Sequence, residues 1–296
     1  GNLMNAGKIT DKIFSFAKEL VGWIPGGLGH ANIVASIIFA GMSGSAAADA
    51  GGLGTIEMEA MTKNGYDEDF SGAVTAASSV IGPIFPPSIP LIIYGATASV
   101  SVAKLFMGGV LPGLLMGVAL MVLVFLFAIK YKFERHPFHV AALIRQFFGS
   151  ILSLITPLII LAGFTTGWFT PTEASSIAVA YSLIIALIVY RTMDWKTFTD
   201  CLLESAITSA NTLFIIGTST LFTYVLVKEG ASTAIANFIL GISQNPAVIL
   251  LIINVVLLIL GMFMEPGAIL TLMLPVLLPI IKSLNIDLVH FGVVMV

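Results

Sequence analysis

The chain has 296 residues, 57% of them hydrophobic and 10% charged, with a net charge of −3. Soluble domains carry about 25% charged residues, so this composition excludes a water-soluble enzyme. The small net charge and the absence of a basic cluster give nothing for nucleic acid to bind, and a lone cysteine, Cys201, rules out a disulfide framework or a thiolate metal site.

Lys8 to Trp23 reads as an amphipathic helix. Ile9, Ile13, Phe16, Leu20 and Ile24 recur at steps of three and four, and Lys8, Lys12 and Lys18 take the other face. Such a helix suits the membrane interface, and the glycines of GGLGH, Gly26 to His30, break it. The start carries neither an initiator methionine nor a signal-peptide pattern, and the end, HFGVVMV, stops inside an apolar run. Both ends read as cut from a longer chain.

The next stretch, FAGMSGSAAADAGGLG, sets small residues and one acid between apolar flanks. Ala31 to Ala40 and Ala46 to Lys63 read as two helices joined by a turn over Gly41 to Ser45. Ten helical residues rise about 15 Å, half the bilayer, so the pair is expected to dip into the membrane and return. Ser45 or Ser43 can cap the second helix, and Asp49 falls one turn inside it, where the helix dipole favours an acid. Glu57 and Glu59 lie about three turns beyond the tip, where solvation at the interface is expected.

Phe70 to Ala103 is uncharged but interrupted by GPIFPPSIP, Gly82 to Pro90, with four prolines. Proline donates no amide, so the carbonyls near Gly82 and Ile84 lack ordinary helical partners, and Ser88 adds a hydroxyl. Leu105 to Ile129 then offers 25 residues without an ionisable side chain, enough to cross the hydrocarbon core. KYKFERHPFHVAALIR is the most basic loop. Gln146 to Thr172 and Ala174 to Tyr190 are further apolar stretches, with Thr172 or Thr170 placed to cap the helix entering at Pro171 and Glu173 in its first turn. Ser205 to Val227 crosses again, and Gly230 to Met264 is uncharged for 35 residues apart from the break at Asn245-Pro246. Glu265 then occupies the turn of a second helix pair, before Pro266 and Gly267.

The positive-inside rule puts the loops Lys130 to Arg145 and Arg191 to Lys196 in the cytoplasm. The two broken regions are then approached from opposite sides. An internal echo agrees. Gly41-Met42 precedes Gly65-Tyr66-Asp67 and Phe70 at the spacing at which Gly261-Met262 precedes Asn285-Ile286-Asp287 and, a residue later in register, Phe291. Broken apolar segments at matching places in two halves point to a transporter site. The expected fold is therefore an all-α polytopic membrane protein with inverted repeats, re-entrant hairpins and unwound helices. Its segments are 1–28, an interfacial helix and link; 29–67, the first hairpin; and 68–132, a discontinuous helix and the following transmembrane helix. A cytoplasmic loop, 133–145, and second-half scaffold and transmembrane helices, 146–246, lead to the second hairpin, 247–284, and the start of a second discontinuous helix, 285–296.

The motifs NLMNAGKIT, GGLGHANIVASIIFAGMSGSAAADAGGLG, GYDEDFSGAVTAASSVIGPIFPPSIPLIIYG, SVAKLFMGGVLPG, GWFTPTEASS and GMFMEPGAILTLMLPVLLPI resemble the large membrane subunit of the tripartite ATP-independent periplasmic (TRAP) transporters. The resemblance implies a prokaryotic inner-membrane secondary transporter of elevator type, with a sodium ion (Na+) as coupling ion. It also implies a small membrane subunit, separate or fused, and a periplasmic binding protein that delivers an organic acid such as a C4-dicarboxylate or sialic acid. One sodium site would use Ser43, Gly44 and Ser45 with Gly82, Pro87 and Ser88, and a second would use Gly261 with an unwound segment after HFGVVMV. Substrate-binding candidates around the breaks are Ser43, Ser45, Asp49, Ser79, Pro86, Pro87, Ser88 and Glu265. Two readings compete. GMSG matches the G-x-S-G pattern of an intramembrane serine protease, for which His290 beside Asp287 would be the base, and a passive channel or structural subunit would need no coupling ion.

Overall fold

The computed structural model describes residues 2–133, 137–165 and 167–296, and every element among them is helical. Five helices are long and apolar enough to cross a membrane: Val102–Tyr131, Val140–Gly163, Pro171–Val189, Trp195–Lys228 and Pro266–Ser283. The first shows why composition alone identified the class. Leu111, Leu115, Val118, Val122, Leu126 and Ile129 follow one another at helical spacing and are all more than half exposed. A continuous exposed apolar stripe of that kind is stable only against lipid or another apolar partner.

The chain forms two compact units, Gly1–Ser88 with Val110–Glu204, and Ile89–Gly109 with Ser205–Val296. In the first unit a short helix α1 (Asn2–Ala6) leads into α2 (Ile9–Val21), whose buried face is Ile9, Ile13, Phe14 and Ala17. That face packs on α3 (Gly27–Ser43). Helix α3 is largely apolar, and most of it is buried, the polar His30, Asn32 and Ser36 included. The chain then turns back through α4 (Ala46–Gly51) and α5 (Leu53–Lys63) to α6 (Glu68–Ser79). Residues 80–88 are not helical, and α7 (Ile89–Ala98) resumes in the second unit. Helix α8 (Val102–Tyr131) follows, and its second half lies against α3. A Cβ at Gly29 would stand 2.9 Å from Val124, so the two helices approach more closely than any side chain would allow.

Helix α9 (Val140–Thr165) starts earlier than the apolar pattern suggested. The last six residues of the expected cytoplasmic loop, Val140 to Arg145, are its first turns. Helix α10 (Pro171–Ile184) runs into a π-helical turn, Ile185–Val189. Thr170, not Thr172, caps it: the Thr170 hydroxyl accepts from the Glu173 amide, and the Glu173 carboxylate accepts from the Thr170 amide at 2.8 Å, a complete capping box. Helix α11 (Trp195–Lys228) is entered at Asp194, whose carboxyl is held below its usual range by hydrogen bonds from Thr197. Cys201 is buried and its thiol points to the Asn2 carbonyl, a small core residue as expected.

The second unit continues with α12 (Ala231–Ile242), α13 (Pro246–Gly261), α14 (Pro266–Ser283) and α15 (Leu288–Met295). Asn245 caps α13 and explains the Asn-Pro break, since proline at the first helical position has no amide to lose. Tyr94 of α7 donates to the Leu288 carbonyl at 2.7 Å, and its ring lies over Gly292 of α15.

The internal echo has a structural counterpart. After α5, Gly65 takes a left-handed φ of 80°, Tyr66 N donates to Met61 O, and Asp67 caps α6 through the Phe70 amide. After α14, Asn285 takes φ 52°, Ile286 N donates to Ile281 O, and Asp287 caps α15 through the His290 amide. A left-handed residue closing one helix and an acid opening the next, two residues later, is one local motif used twice.

Candidate functional site

Helix α3 ends at Ser43, and Gly44 adopts φ 60° and ψ 17° while its amide closes on the Ala40 carbonyl at 3.2 Å. Ser45 then becomes extended and opens α4: its hydroxyl accepts from the Ala48 amide at 3.4 Å, and its carbonyl accepts from Asp49 N at 3.1 Å. The turn is therefore Gly44-Ser45 alone. Gly41, Met42 and Ser43, expected in the turn, belong to the last coil of a 17-residue helix rather than to a ten-residue arm. Such a helix rises about 26 Å, longer than the half-bilayer arm inferred from Ala31 to Ala40. The return helix is also not continuous from Ala46 to Lys63, because the chain bends at Gly52, with φ −94° and ψ −87°. The six-residue α4 thus gives Asp49 little of the dipole that a long helix would have supplied.

Ending a helix at Ser43 leaves its last carbonyls without helical amides. The Ser43 hydroxyl, just before the turn, is buried and has no hydrogen-bond partner. A cation attracted to a helix C-terminus and to unpaired oxygens would find both here.

The second break is the non-helical run from Val80 to Ser88. Gly82 N donates to Ser79 O, while Ile84 N and Phe85 N both close on Ile81 O. The Pro86-Pro87 bond is cis, and the Ser88 hydroxyl donates to the Pro83 carbonyl. So Ser88 is engaged locally, bracing the loop. Ser79, the last residue of α6, is buried, and its hydroxyl donates to Ala76 O at 2.9 Å.

The two breaks meet. A Cβ built on Gly82 would stand 3.3 Å from the Ser45 carbonyl carbon, 3.4 Å from its oxygen and 3.2 Å from Ser79 O. Gly41 faces Pro157 of α9, with the Pro86 carbonyl 4.0 Å from where its Cβ would be. Gly113 of α8 lies under Phe85. Ser43, Gly44, Ser45, Ser79, Gly82, Pro86, Pro87 and Ser88 thus form one neighbourhood in the first unit, supported by α8 and α9. Its oxygens, hydroxyl and carbonyl, are the donor type that hard cations prefer.

A family model described as "Tripartite ATP-independent periplasmic transporter, DctM component" matches residues 1–296. The chain belongs to the DctM family of TRAP transporter large permeases. It is 45% identical over 99% of its length to the sialic acid TRAP transporter large permease protein SiaM of Vibrio cholerae, covering 69% of that protein. It is 46% identical over 99% of its length to the sialic acid permease protein SiaT of Haemophilus influenzae, covering 48% of it. The C4-dicarboxylate large permease protein DctM of Pseudomonas aeruginosa is 37% identical over the whole chain, which covers 70% of that relative. A DctM-family chain is a multi-pass inner-membrane transporter component and not an enzyme. The protease reading of GMSG is thereby set aside.

Other candidates in the DctM-family chain fall elsewhere. Asp49 is one turn behind the tip and 1% exposed, and neither of its carboxylate oxygens has a hydrogen-bond partner among the described residues. Glu57, expected at the interface and solvated, is fully buried. Glu57 follows the buried Asp49 and Leu53 at steps of four, the spacing of one helix face. Glu59 is the solvated member of the pair, bonded to Lys63 in an exposed ion pair. In the second unit, Gly261 ends α13 and Glu265 stands at the N-cap of α14 without a side-chain cap bond, both exposed.

Sequence reasoning missed a buried polar network behind the tip. Asn32 Nδ2 donates to Thr75 Oγ1 at 2.8 Å, Ser78 Oγ donates to Asn32 Oδ1 at 2.7 Å, and Ser36 Oγ donates to Ser78 Oγ at 3.1 Å. Asn32 and Ser36 are four residues apart on α3, and Thr75 and Ser78 three apart on α6. Each pair shares one helix face, a polar stripe that was available in an otherwise apolar pattern.

Proposed function

We propose that this chain is the membrane-embedded path for sodium-coupled uptake of an organic acid, a sialic acid or a C4-dicarboxylate. One observation carries the proposal: the Gly44-Ser45 turn and the unwound 80–88 segment pack against each other, Ser45 beside Gly82, and the Ser43 hydroxyl just before the turn is buried and unpaired. Unwound backbone in a membrane protein is tolerated where it is buried in protein or lines a cavity, and helix-end carbonyls there coordinate sodium. Ser43, Gly44, Ser45, Gly82, Pro87 and Ser88 would hold the ion. The relatives named for sialic acid and C4-dicarboxylate support the substrate class. A small membrane subunit and a periplasmic binding protein would complete the assembly, and the matched family's description as a tripartite periplasmic transporter supports both.

In this reading the ion binds first and adds positive charge to the tip, which prepares it for a carboxylate. Ion and substrate must then raise each other's affinity by the same factor. The two helix pairs would be re-entrant hairpins, and the loaded part would move as an elevator against a fixed scaffold. Gly261 and Glu265 are the counterparts at the second pair, contributing to a second ion and to the substrate.

Uptake into liposomes containing the assembled transporter, measured while sodium is titrated, tests the coupling. Uptake should rise with sodium and collapse when sodium is replaced by choline. Ser45→Ala and Ser88→Ala should raise the sodium concentration needed for half-maximal uptake, and Lys196→Ala at the exposed start of α11 should not. Uptake indifferent to sodium would favour a passive channel.

A further inference from the structure

The DctM-family chain buries two carboxylates that its tip does not use. Asp49 is 1% exposed and Glu57 0%. None of their four oxygens closes a hydrogen bond of normal geometry. Met61 of α5 meets Asn32 of α3, and Glu57 and Ser36 each lie one turn from them, so Glu57 and Ser36 share that interface. A Cβ at Gly54 would meet both the Asp49 carbonyl and Thr75, which brings α4 to the same network. Among the described residues no basic side chain is bonded to them. Among the described residues the one ion pair is Lys63 with Glu59, on the exposed side of α5. The buried His30 of α3 is directed to the Pro25 carbonyl instead.

An uncompensated charge is the most costly group to bury, and a like-charged pair is worse. Native structures meet this with a counter-charge or a metal. The surroundings are made for the second. Ser36, Ser78, Asn32 and Thr75, from two other helices, already form a connected set of oxygens that fixes the Ser36 hydroxyl in place. The Asn32 amide nitrogen is turned away, toward Thr75 and the Met61 sulfur. The carboxylates and the Ser36 hydroxyl offer oxygen, the ligand of hard cations and a poor one for soft metals.

We propose that Asp49, Glu57 and Ser36 form a second cation site in the first unit, behind the hairpin tip, for a hard oxygen-seeking metal ion. It joins α3, α4 and α5, the three helices that build the tip, so occupancy locks the bend at Gly52 and the turn at Gly44-Ser45 into one arrangement. The site stands whether or not the tip itself holds sodium. Removal of either carboxylate therefore acts on ion binding differently from removal of Ser45.

The test is thermal melting of the purified transporter in nanodiscs, in choline chloride, sodium chloride and calcium chloride at matched ionic strength. Sodium or calcium should raise the melting temperature of the wild type, and which of them does so identifies a monovalent or a divalent ion. In a Ser45→Ala background, where the tip contributes least, Glu57→Gln and Asp49→Asn should lose the rise that remains, while Lys196→Ala at the exposed start of α11 retains it. In choline, Glu57→Gln should be at least as stable as the wild type, because the repulsive pair is gone. Ser36→Ala should raise the half-maximal cation concentration roughly 10- to 100-fold. A Glu57→Gln protein that keeps the full cation response overturns the site. So does a wild type stabilised by acidification alone, with no added effect of either cation. Should the carboxylate variants fail to fold, infrared difference spectra of the wild type decide the matter. Adding the cation must shift a carboxylate band, and an unchanged spectrum overturns the proposal.

Discussion

Replacing Gly82 with valine is expected to abolish sodium-driven uptake while the protein still inserts and folds. The reason is geometric: a Cβ there would sit 3.2 Å from Ser79 O and 3.3 Å from the Ser45 carbonyl carbon, both backbone atoms that cannot rotate away. Overpacking of this kind costs about 1–3 kcal/mol. Here the strain falls on the contact between the two breaks, so the tip separates from the unwound segment while the remaining core is unaffected. Gly51→Ala is the matched control, since a Cβ at Gly51 meets nothing within 4 Å. Its effect should stay within about 0.5 kcal/mol. Size-exclusion profiles and uptake assays on the two variants separate loss of function from loss of fold. Uptake by the valine variant comparable to that of the alanine control would mean that the contact plays no part in transport.

The second large effect is expected at Asn32. Its amide donates to Thr75 and accepts from Ser78, joining α3 to α6 across the buried interior. Asn32→Ala leaves a cavity and removes the acceptor of Ser78 and the donor to Thr75. Ser78 keeps a 3.1 Å bond to the Thr75 carbonyl, which limits the damage on that side. The loss should be about 2–4 kcal/mol, seen as a lower melting temperature and as increased protease access to the region around α6. Ser36→Ala, which removes one neutral hydroxyl from the edge of the same network, should lower stability by about 1 kcal/mol. Equal effects of the two substitutions would argue that Asn32 is not the hub.

The parts of this fold that follow from pattern over long distances were legible in the chain itself. Charge-free runs found α8 and α11, because crossing a bilayer demands length and apolarity together. The Asn245-Pro246 and Thr170-Pro171 starts were readable because capping chemistry is local. The two breaks were readable because proline and glycine act on the backbone directly. What failed were judgements that depend on exact helix phase. Gly41 to Ser43 remain helical because glycine is tolerated in a coil packed tightly against Pro157 and the Pro86 carbonyl, and nothing local forces the helix to end before Gly44. Glu57 was assigned to solvent by counting turns along an unbroken helix from Ala46. Asp49, Leu53 and Glu57 recur at steps of four and all three are buried, a shared face that counting distance from the tip ignored. The network of Asn32, Ser36, Thr75 and Ser78 was hidden for another reason: its pairs are more than 40 residues apart in sequence, and only tertiary contact shows that the two stripes face one another.

The most direct measurement of the central claim is a pair of high-resolution density maps of the assembled transporter, one prepared in sodium chloride and one in choline chloride. An ordered peak should appear in the sodium map alone, within coordination distance of oxygens from Ser43, Gly44 or Ser45 and from the 82–88 segment. Identical maps, with the two breaks in contact and no density between their oxygens in either medium, would contradict the account.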